Sequence, residues 1–141
     1  MQSADRIKAG ERSIAIVFLT LGIVSIESAL VTDLLGKIVS ILVGIGFILF
    51  VILGLQKRII AFADRIGGSI FVGFLAIFNP LGGSIIFGFY AIVGGIAVYL
   101  GGRFGTDTTI IIVVSALVAL ANLVVLLLNI ATLLRLRKKT V

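Results

Sequence analysis

The sequence predicts an all-α integral membrane protein, a polytopic bundle of five hydrophobic helices. Of its 141 residues, 60% are hydrophobic and only 13% are charged, whereas soluble domains are about 45–50% apolar. A soluble chain of this length has too little interior to bury so many aliphatic side chains. The basic residues cluster near the two ends and in one connection, as cations that flank membrane spans do. We therefore expect residues 1–141 to form a single transmembrane domain surrounded by the lipid bilayer.

The first apolar run begins at Ser13 and is interrupted by Glu27 and Asp33. Residues 13–26 make about 21 Å of helix, which is less than the roughly 30 Å of hydrocarbon. Either the helix continues past Glu27, or a short span turns there. The second run, 38–55, is long enough to cross and is closed by a basic segment. These two runs predict a first hairpin over residues 12–57.

Two further apolar runs lie in residues 64–103, on either side of a segment rich in turn-forming residues. We interpret Asn79, Pro80, Gly82 and Gly83 as the hinge of a second hairpin, because proline halts a helix and glycine adopts unusual φ angles. The alternative is a discontinuous helix whose freed carbonyl groups line an ion or substrate site. The turn is the favoured interpretation.

The final helix covers residues 108–134 and is too long for an untilted span. If the chain crosses the membrane four times, ten of its 12 cations lie on the side of the two termini, which is then predicted to be cytoplasmic. If all five helices cross, the cations divide seven to five. The cation distribution favours four crossings and the two-armed hairpin favours five, so the sequence leaves the number open.

Small and polar residues recur at intervals of seven on three of the predicted helices. Such stripes allow helices to approach closely in lipid, and the amides can hydrogen-bond between helices. We therefore predict helix-packing positions at Gly22, Ala29, Gly36, Gly88, Gly95, Gly102, Ser115, Asn122 and Asn129.

The hairpins also resemble each other and a known family. A shift of 51 residues aligns Gly22 with Gly73, Gly44 with Gly95, and Ser28 with Asn79. The rhythm R-x-x-G-x-I-x-x-G-x-x-x-I-x-N-P, from Arg65 to Pro80, is followed by Gly95 and Ile96. Over residues 12–103 this pattern resembles the HdeD-like family of small multi-pass membrane proteins, which is associated with bacterial acid resistance. The resemblance implies a hairpin architecture, although family members usually have three hairpins and this chain has two and a lone helix.

Glu27 is the sharpest single candidate for a proton or ion site, and a transport path could also use Asn79 or Asn122. An ionisable residue within a span marks a functional site by default, and burial in hydrocarbon favours the neutral form of a carboxyl group, which can then exchange a proton. The structural alternative, which is favoured, places Glu27 in the headgroup region at the end of a short span. The absence of His and Cys excludes the usual zinc sites and haem held through these residues. No Ser lies near a usable base, and no glycine motif matches a phosphate-binding loop. We therefore expect no catalytic residues, no metal site and no cofactor.

Three functions remain compatible with this pattern. The first is a non-catalytic protein that acts by helix packing, as a homo-oligomer or as a structural or accessory subunit of a larger membrane assembly. The second is a small ion or proton transporter or channel that uses Glu27. The third is a membrane-embedded structural protein of an enveloped virus. Nucleic acid is not an expected partner, because the net charge of +6 forms no basic stripe on a polar face. Cys, Met, Asn and Gln are scarce in this sequence, which is a feature of thermophilic proteins.

Overall fold

The computed structural model describes the backbone of residues 2–100 and 106–140, and in this part of the chain the only regular structure is helical. Helix α1 covers Gln2–Ser28 and is followed by a single 3-10 turn, Ala29–Val31. Helix α2 covers Leu34–Ile52, α3 covers Gln56–Tyr99 and α4 covers Thr106–Thr140. The all-α class predicted from composition is confirmed.

Four helical segments are long and apolar enough to cross a membrane: Ala4–Val31, Leu34–Ile52, Ile70–Tyr99 and Thr109–Arg135. Their outward faces carry large apolar side chains, such as Leu34, which is 76% exposed, and Phe89, which is 70% exposed. Water does not tolerate so continuous an apolar surface, whereas lipid does. The chain is therefore a multi-pass membrane protein.

Helix α1 is the centre of the bundle and contacts α2, α3 and α4, while α3 and α4 also pack on each other. A close crossing lies between α1 and α2. A Cβ atom built on Gly44 would lie 2.7 Å from the backbone oxygen of Gly22. Because neither residue has a side chain at this point, the two helices approach nearly backbone to backbone. Asp33 then caps α2 by accepting a hydrogen bond of 2.8 Å from the backbone N–H of Gly36.

The predicted hinge at Asn79, Pro80, Gly82 and Gly83 is wrong, because the chain remains helical from Ile70 to Tyr99. Among the described residues, positive φ angles occur only at Gly54 and Gly68, so the two hinge glycines keep ordinary helical backbone. The arms predicted within residues 64–103 are therefore one span, and no second hairpin forms there. The hairpin that the family resemblance implies is absent at this point as well.

A proline can remain inside this helix because neighbouring helices satisfy the backbone around it. Pro80 has no N–H to donate to the carbonyl four residues earlier, which belongs to Ala76. The Asn129 side chain on α4 donates to that carbonyl at 2.8 Å. The Ser13 hydroxyl on α1 donates to the adjacent Leu75 carbonyl at 2.7 Å. Such donors from other helices allow proline in membrane spans.

The actual break in α3 lies at Gly68, whose φ of 72° and ψ of −172° are not helical. This region is almost exclusive to glycine, because a Cβ atom would clash with the backbone. The break separates a short arm, 56–67, from the span Ile70–Tyr99. The arm packs Ile60 and Ala63 against Ile14 of α1 and Val72 beyond the break. This short arm is not among the four segments that are long and apolar enough to cross a membrane.

The 51-residue repeat is not reproduced in the packing. Gly22 and Gly44 lie at the close crossing of α1 and α2, but a Cβ atom on Gly73 or Gly95 would meet no atom within 4 Å. Ser28 ends α1, whereas Asn79 lies inside α3. The residues that the 51-residue shift aligns therefore do not occupy equivalent positions in the structure.

Candidate functional site

The polar stripe of α4 faces the interior of the bundle. Ser115, Asn122 and Asn129 are all buried. Asn122 donates from Nδ2 to the Thr20 hydroxyl of α1 at 3.2 Å, and to the Val118 carbonyl of its own helix at 2.8 Å. Gly83 of α3 makes room for it, because a Cβ atom on Gly83 would overlap the Asn122 amide. The three stripe residues therefore face the interior of the bundle, and Asn122 contacts both α1 and α3 there.

Asn129 joins three helices. Its Nδ2 donates to the Ala76 carbonyl of α3 and, at 3.1 Å, to the Ala9 carbonyl of α1. Its Oδ1 accepts a hydrogen bond of 3.4 Å from Nη1 of Arg12, which also donates to the Thr132 hydroxyl at 3.2 Å. Every polar atom of the amide is therefore used, and Asn129 is a structural centre of the bundle.

Some of the predicted glycine positions pack closely against a neighbouring helix, and others do not. Gly22 packs at the crossing described above, whereas Gly88 makes only ordinary contact with Ala119, and Gly95 is exposed with no neighbouring atom within 4 Å. The close contact between α3 and α4 falls instead at Gly94, where a Cβ atom would lie 2.8 Å from Ile112. The glycine of α3 that contacts α4 is therefore one residue away from the predicted one. The spacing of the glycines along the sequence does not determine which face of the helix contacts a neighbouring helix.

The remaining predicted packing positions have other surroundings. Ala29 is buried in the turn after α1. Gly36 does not pack on another helix: a Cβ atom there would overlap the Thr32 hydroxyl and approach the carboxylate of Asp33. A larger residue would not fit at position 36, because the residues at the N-terminal cap of α2 occupy that space. Gly102 lies outside the described residues.

The structure places Glu27 in the last turn of α1, beside a cavity of about 240 Å³ between three helices. Its Oε1 atom is buried and has no hydrogen-bond partner within the described part of the chain. Three helices contribute the cavity lining: Val24, Glu27 and Ser28 from α1, Phe87 and Tyr90 from α3, and Ile111 and Ser115 from α4.

The chemistry of the lining limits what the cavity can bind. Among the described residues of the lining, Glu27 is the one charged side chain, and Ser28, Tyr90 and Ser115 supply the other polar groups. The Ser28 hydroxyl already contacts the Ser25 carbonyl at 2.7 Å and the Ser40 hydroxyl at 3.0 Å. Ca²⁺ requires six to eight oxygen ligands, and Mg²⁺ requires an octahedral set. Within the described residues no group of three or more acidic, His or Cys side chains could hold a metal ion.

The structure therefore brings Glu27, predicted as an ion site, next to Ser115, predicted as a packing residue. Sequence reasoning missed Phe87 and Tyr90, which face the same cavity from α3. Their separation of three residues places them on one face of a helix, and that spacing was the available signal. It was obscured because the segment was interpreted as one arm of a hairpin.

Known proteins do not help to assign a role to this cavity. The resemblance to HdeD-like proteins stays a prediction. Comparisons with protein-family models, characterised proteins and solved structures give no match for this chain.

Proposed function

We propose that the chain is a small membrane transporter or channel that binds a cation at Glu27. The observation that carries this proposal is the buried Oε1 atom of Glu27, which has no hydrogen-bond partner among the described residues and lies beside a cavity. A protein that used the cavity only for packing would lose stability by leaving this acceptor unpaired. A bound cation or proton supplies the partner that the described residues do not.

The position of Glu27 supports a role in transport. The residue lies within the segment Ala4–Val31, which is apolar enough to cross the membrane. Ionisable residues inside spans are uncommon because they are costly, and they mark ion pathways and proton relays. Glu27 lies four residues before Val31, the last residue of the 3-10 turn that follows α1. The cavity is therefore close to one membrane face.

The lining favours a proton or a weakly hydrated organic cation over a small metal ion. Phe87 and Tyr90 present aromatic rings to the cavity, and such rings attract cations that give up their water easily. A single carboxylate neutralises a single positive charge. A monovalent cation with an apolar body therefore matches both the charge and the walls of the cavity.

Replacing Glu27 with Gln is expected to weaken the binding of tetraphenylphosphonium by about 10-fold to 100-fold, because a charged partner contributes about 1.5–3 kcal/mol. Equilibrium binding to the detergent-solubilised protein measures the loss, and flux into proteoliposomes tests transport. The matched control is Glu11→Gln, which removes a carboxylate that lines a different cavity on the same helix. Acidification should also weaken the binding of tetraphenylphosphonium, because protons compete for the Glu27 carboxylate. Among the described lining residues, Tyr90 is the other titratable side chain.

Equal affinity in the wild-type protein and Glu27→Gln would contradict a cation site at this carboxylate. Binding that depends on Glu27 without any flux would retain the site and exclude transport. An equal loss in Glu11→Gln would show that the effect comes from overall negative charge.

A structural role is the second candidate function. Its support is Gly95, which is exposed and has open space around it, next to Gly94, which packs against Ile112. An exposed glycine in a membrane span leaves a groove into which a second helix fits. In this alternative the chain acts as a homo-oligomer or as an accessory subunit of a larger assembly.

The structural alternative predicts that Gly95→Leu reduces the size of the assembly in mild detergent, because the new side chain fills the groove. Light scattering coupled to size-exclusion chromatography measures the size. Gly46→Leu is the control, since Gly46 is also exposed with no atom within 4 Å but lies on α2. An unchanged assembly in Gly95→Leu would exclude association through this face.

We also propose that both termini face the cytoplasm. Four crossings place ten of the 12 cations on the side of the termini. Excess Lys and Arg mark cytoplasmic segments.

A further inference from the structure

We propose that the end of the bundle opposite Glu27 contains a binding site for a phosphate group, of the kind carried by an anionic phospholipid headgroup. The site is a cavity of about 290 Å³ between the first turns of α1 and the last turns of α4. Its lining is Asp5, Lys8, Arg12, Thr132 and Arg135. Three cations and one carboxylate give it a formal charge of +2, independent of the proposed function at Glu27.

Arg12 is held in place for such a ligand. Both of its hydrogen bonds to described residues leave from Nη1, toward the Thr132 hydroxyl at 3.2 Å and the Asn129 amide oxygen at 3.4 Å. The remaining N–H groups of the guanidinium have no acceptor among the described residues. A guanidinium fixed at one nitrogen presents its other donors in a plane that matches two phosphate oxygens.

Lys8 and Arg135 complete the site from two helices. Both side chains are exposed, so each can turn toward a ligand without giving up a partner inside the bundle. The depth of the site also fits a headgroup. Arg12 directly precedes the buried Ser13, at which the long apolar run of α1 begins. Basic pockets between helices at this level bind acidic lipid headgroups.

An adjoining cavity of about 240 Å³ shares Lys8 and Arg12 and is also lined by Glu11 and Gln56. The Oε1 atom of Gln56 is buried, and within the described residues it has no hydrogen-bond partner. A headgroup with a donor beyond its phosphate, such as the hydroxyl groups of phosphatidylglycerol, would satisfy this acceptor. The two cavities together therefore provide for a phosphate and for a hydroxylated substituent.

The test is native mass spectrometry of the full chain in detergent, titrated with phosphatidylglycerol or phosphatidylcholine of the same acyl chains. The wild-type protein is expected to bind phosphatidylglycerol more tightly. The double variant Lys8→Gln/Arg135→Gln should bind it about tenfold more weakly or worse, since each cation near an anionic headgroup contributes separately. The matched control is Lys57→Gln/Arg58→Gln, which removes two exposed cations from the arm 56–67.

The source of the phosphate is distinguished by adding inorganic phosphate. Displacement of phosphatidylglycerol by inorganic phosphate at equal concentration would assign the site to a soluble anion, whereas retention of the lipid would assign it to the headgroup. Equal binding of the two lipids by the wild-type protein would overturn the proposal. So would an equal loss in the two double variants. Thermal unfolding of each variant confirms that the exposed substitutions leave the bundle folded.

Discussion

Replacing Asn129 with Leu is expected to destabilise the bundle by about 2 kcal/mol, because a buried acceptor left without its donor costs about 1–3 kcal/mol. Asn129 is fully buried and donates to the Ala76 carbonyl, which Pro80 leaves without its helical partner. Leucine has a similar size, so the effect isolates the loss of hydrogen bonds. Denaturation of the purified protein in mixed micelles, followed by circular dichroism, measures the change in unfolding free energy.

Pro80→Ala provides the control for this mechanism. Alanine restores a backbone N–H at position 80, and that N–H can donate to Ala76 within the helix. The cost of Asn129→Leu should therefore be smaller in the Pro80→Ala background, by about 1 kcal/mol of coupling energy. If the two substitutions are simply additive, Asn129 does not act through the carbonyl that the proline frees.

The second large effect is expected at the crossing of α1 and α2. Gly44→Leu should destabilise the protein by about 3 kcal/mol or more, since overpacking costs 1–3 kcal/mol even where neighbours can adjust. Here a Cβ atom would lie 2.5 Å from Ile26 and 2.7 Å from the backbone oxygen of Gly22. The Ile26 side chain can rotate, but the Gly22 backbone can move only if the helices separate.

Gly46→Leu is the matched control for the crossing, because it lies two residues away on α2 and faces open space. We expect its unfolding free energy to stay within about 0.5 kcal/mol of the wild-type value, as for most surface substitutions. The same micelle denaturation measures both variants. Equal destabilisation by the two leucines would show that the crossing of α1 and α2 does not determine the result, because leucine has a higher helix propensity than glycine at both positions.

The predictable part of this fold was the part that depends on composition and period. Apolar runs identify the first, second and last spans, and the spacing of Ser115, Asn122 and Asn129 identifies a buried stripe on α4. Both signals lie within one helix, where the geometry is fixed by the chain itself.

The course of the chain around Pro80 could not be predicted in the same way. Proline ends a helix when nothing replaces its missing hydrogen bond, and here the replacement comes from Asn129, which is distant in sequence. At Gly68, by contrast, the helix breaks where the sequence predicts no break. This glycine lies beside Gly67 and resembles any membrane glycine, yet it alone of the two takes a non-helical φ. Tertiary contacts decide both cases.

The candidate site was predicted in part. Glu27 stood out because it is ionisable within an apolar run, and that signal needs no partner. The cavity beside it depends on how α3 and α4 rotate about their axes. That rotation brings Phe87 and Tyr90 toward α1 and turns Gly95 outward, and no periodicity in a single helix specifies it.

The hydrogen bond from Asn129 to Ala76 also has a consequence for biogenesis. The ribosome completes α3 before α4 exists, so the nascent third span enters the membrane with the carbonyl that Pro80 frees still unpaired. An unpaired carbonyl is costly in hydrocarbon. We therefore expect the Ala76 carbonyl to gain the Asn129 donor only after α4 has been inserted.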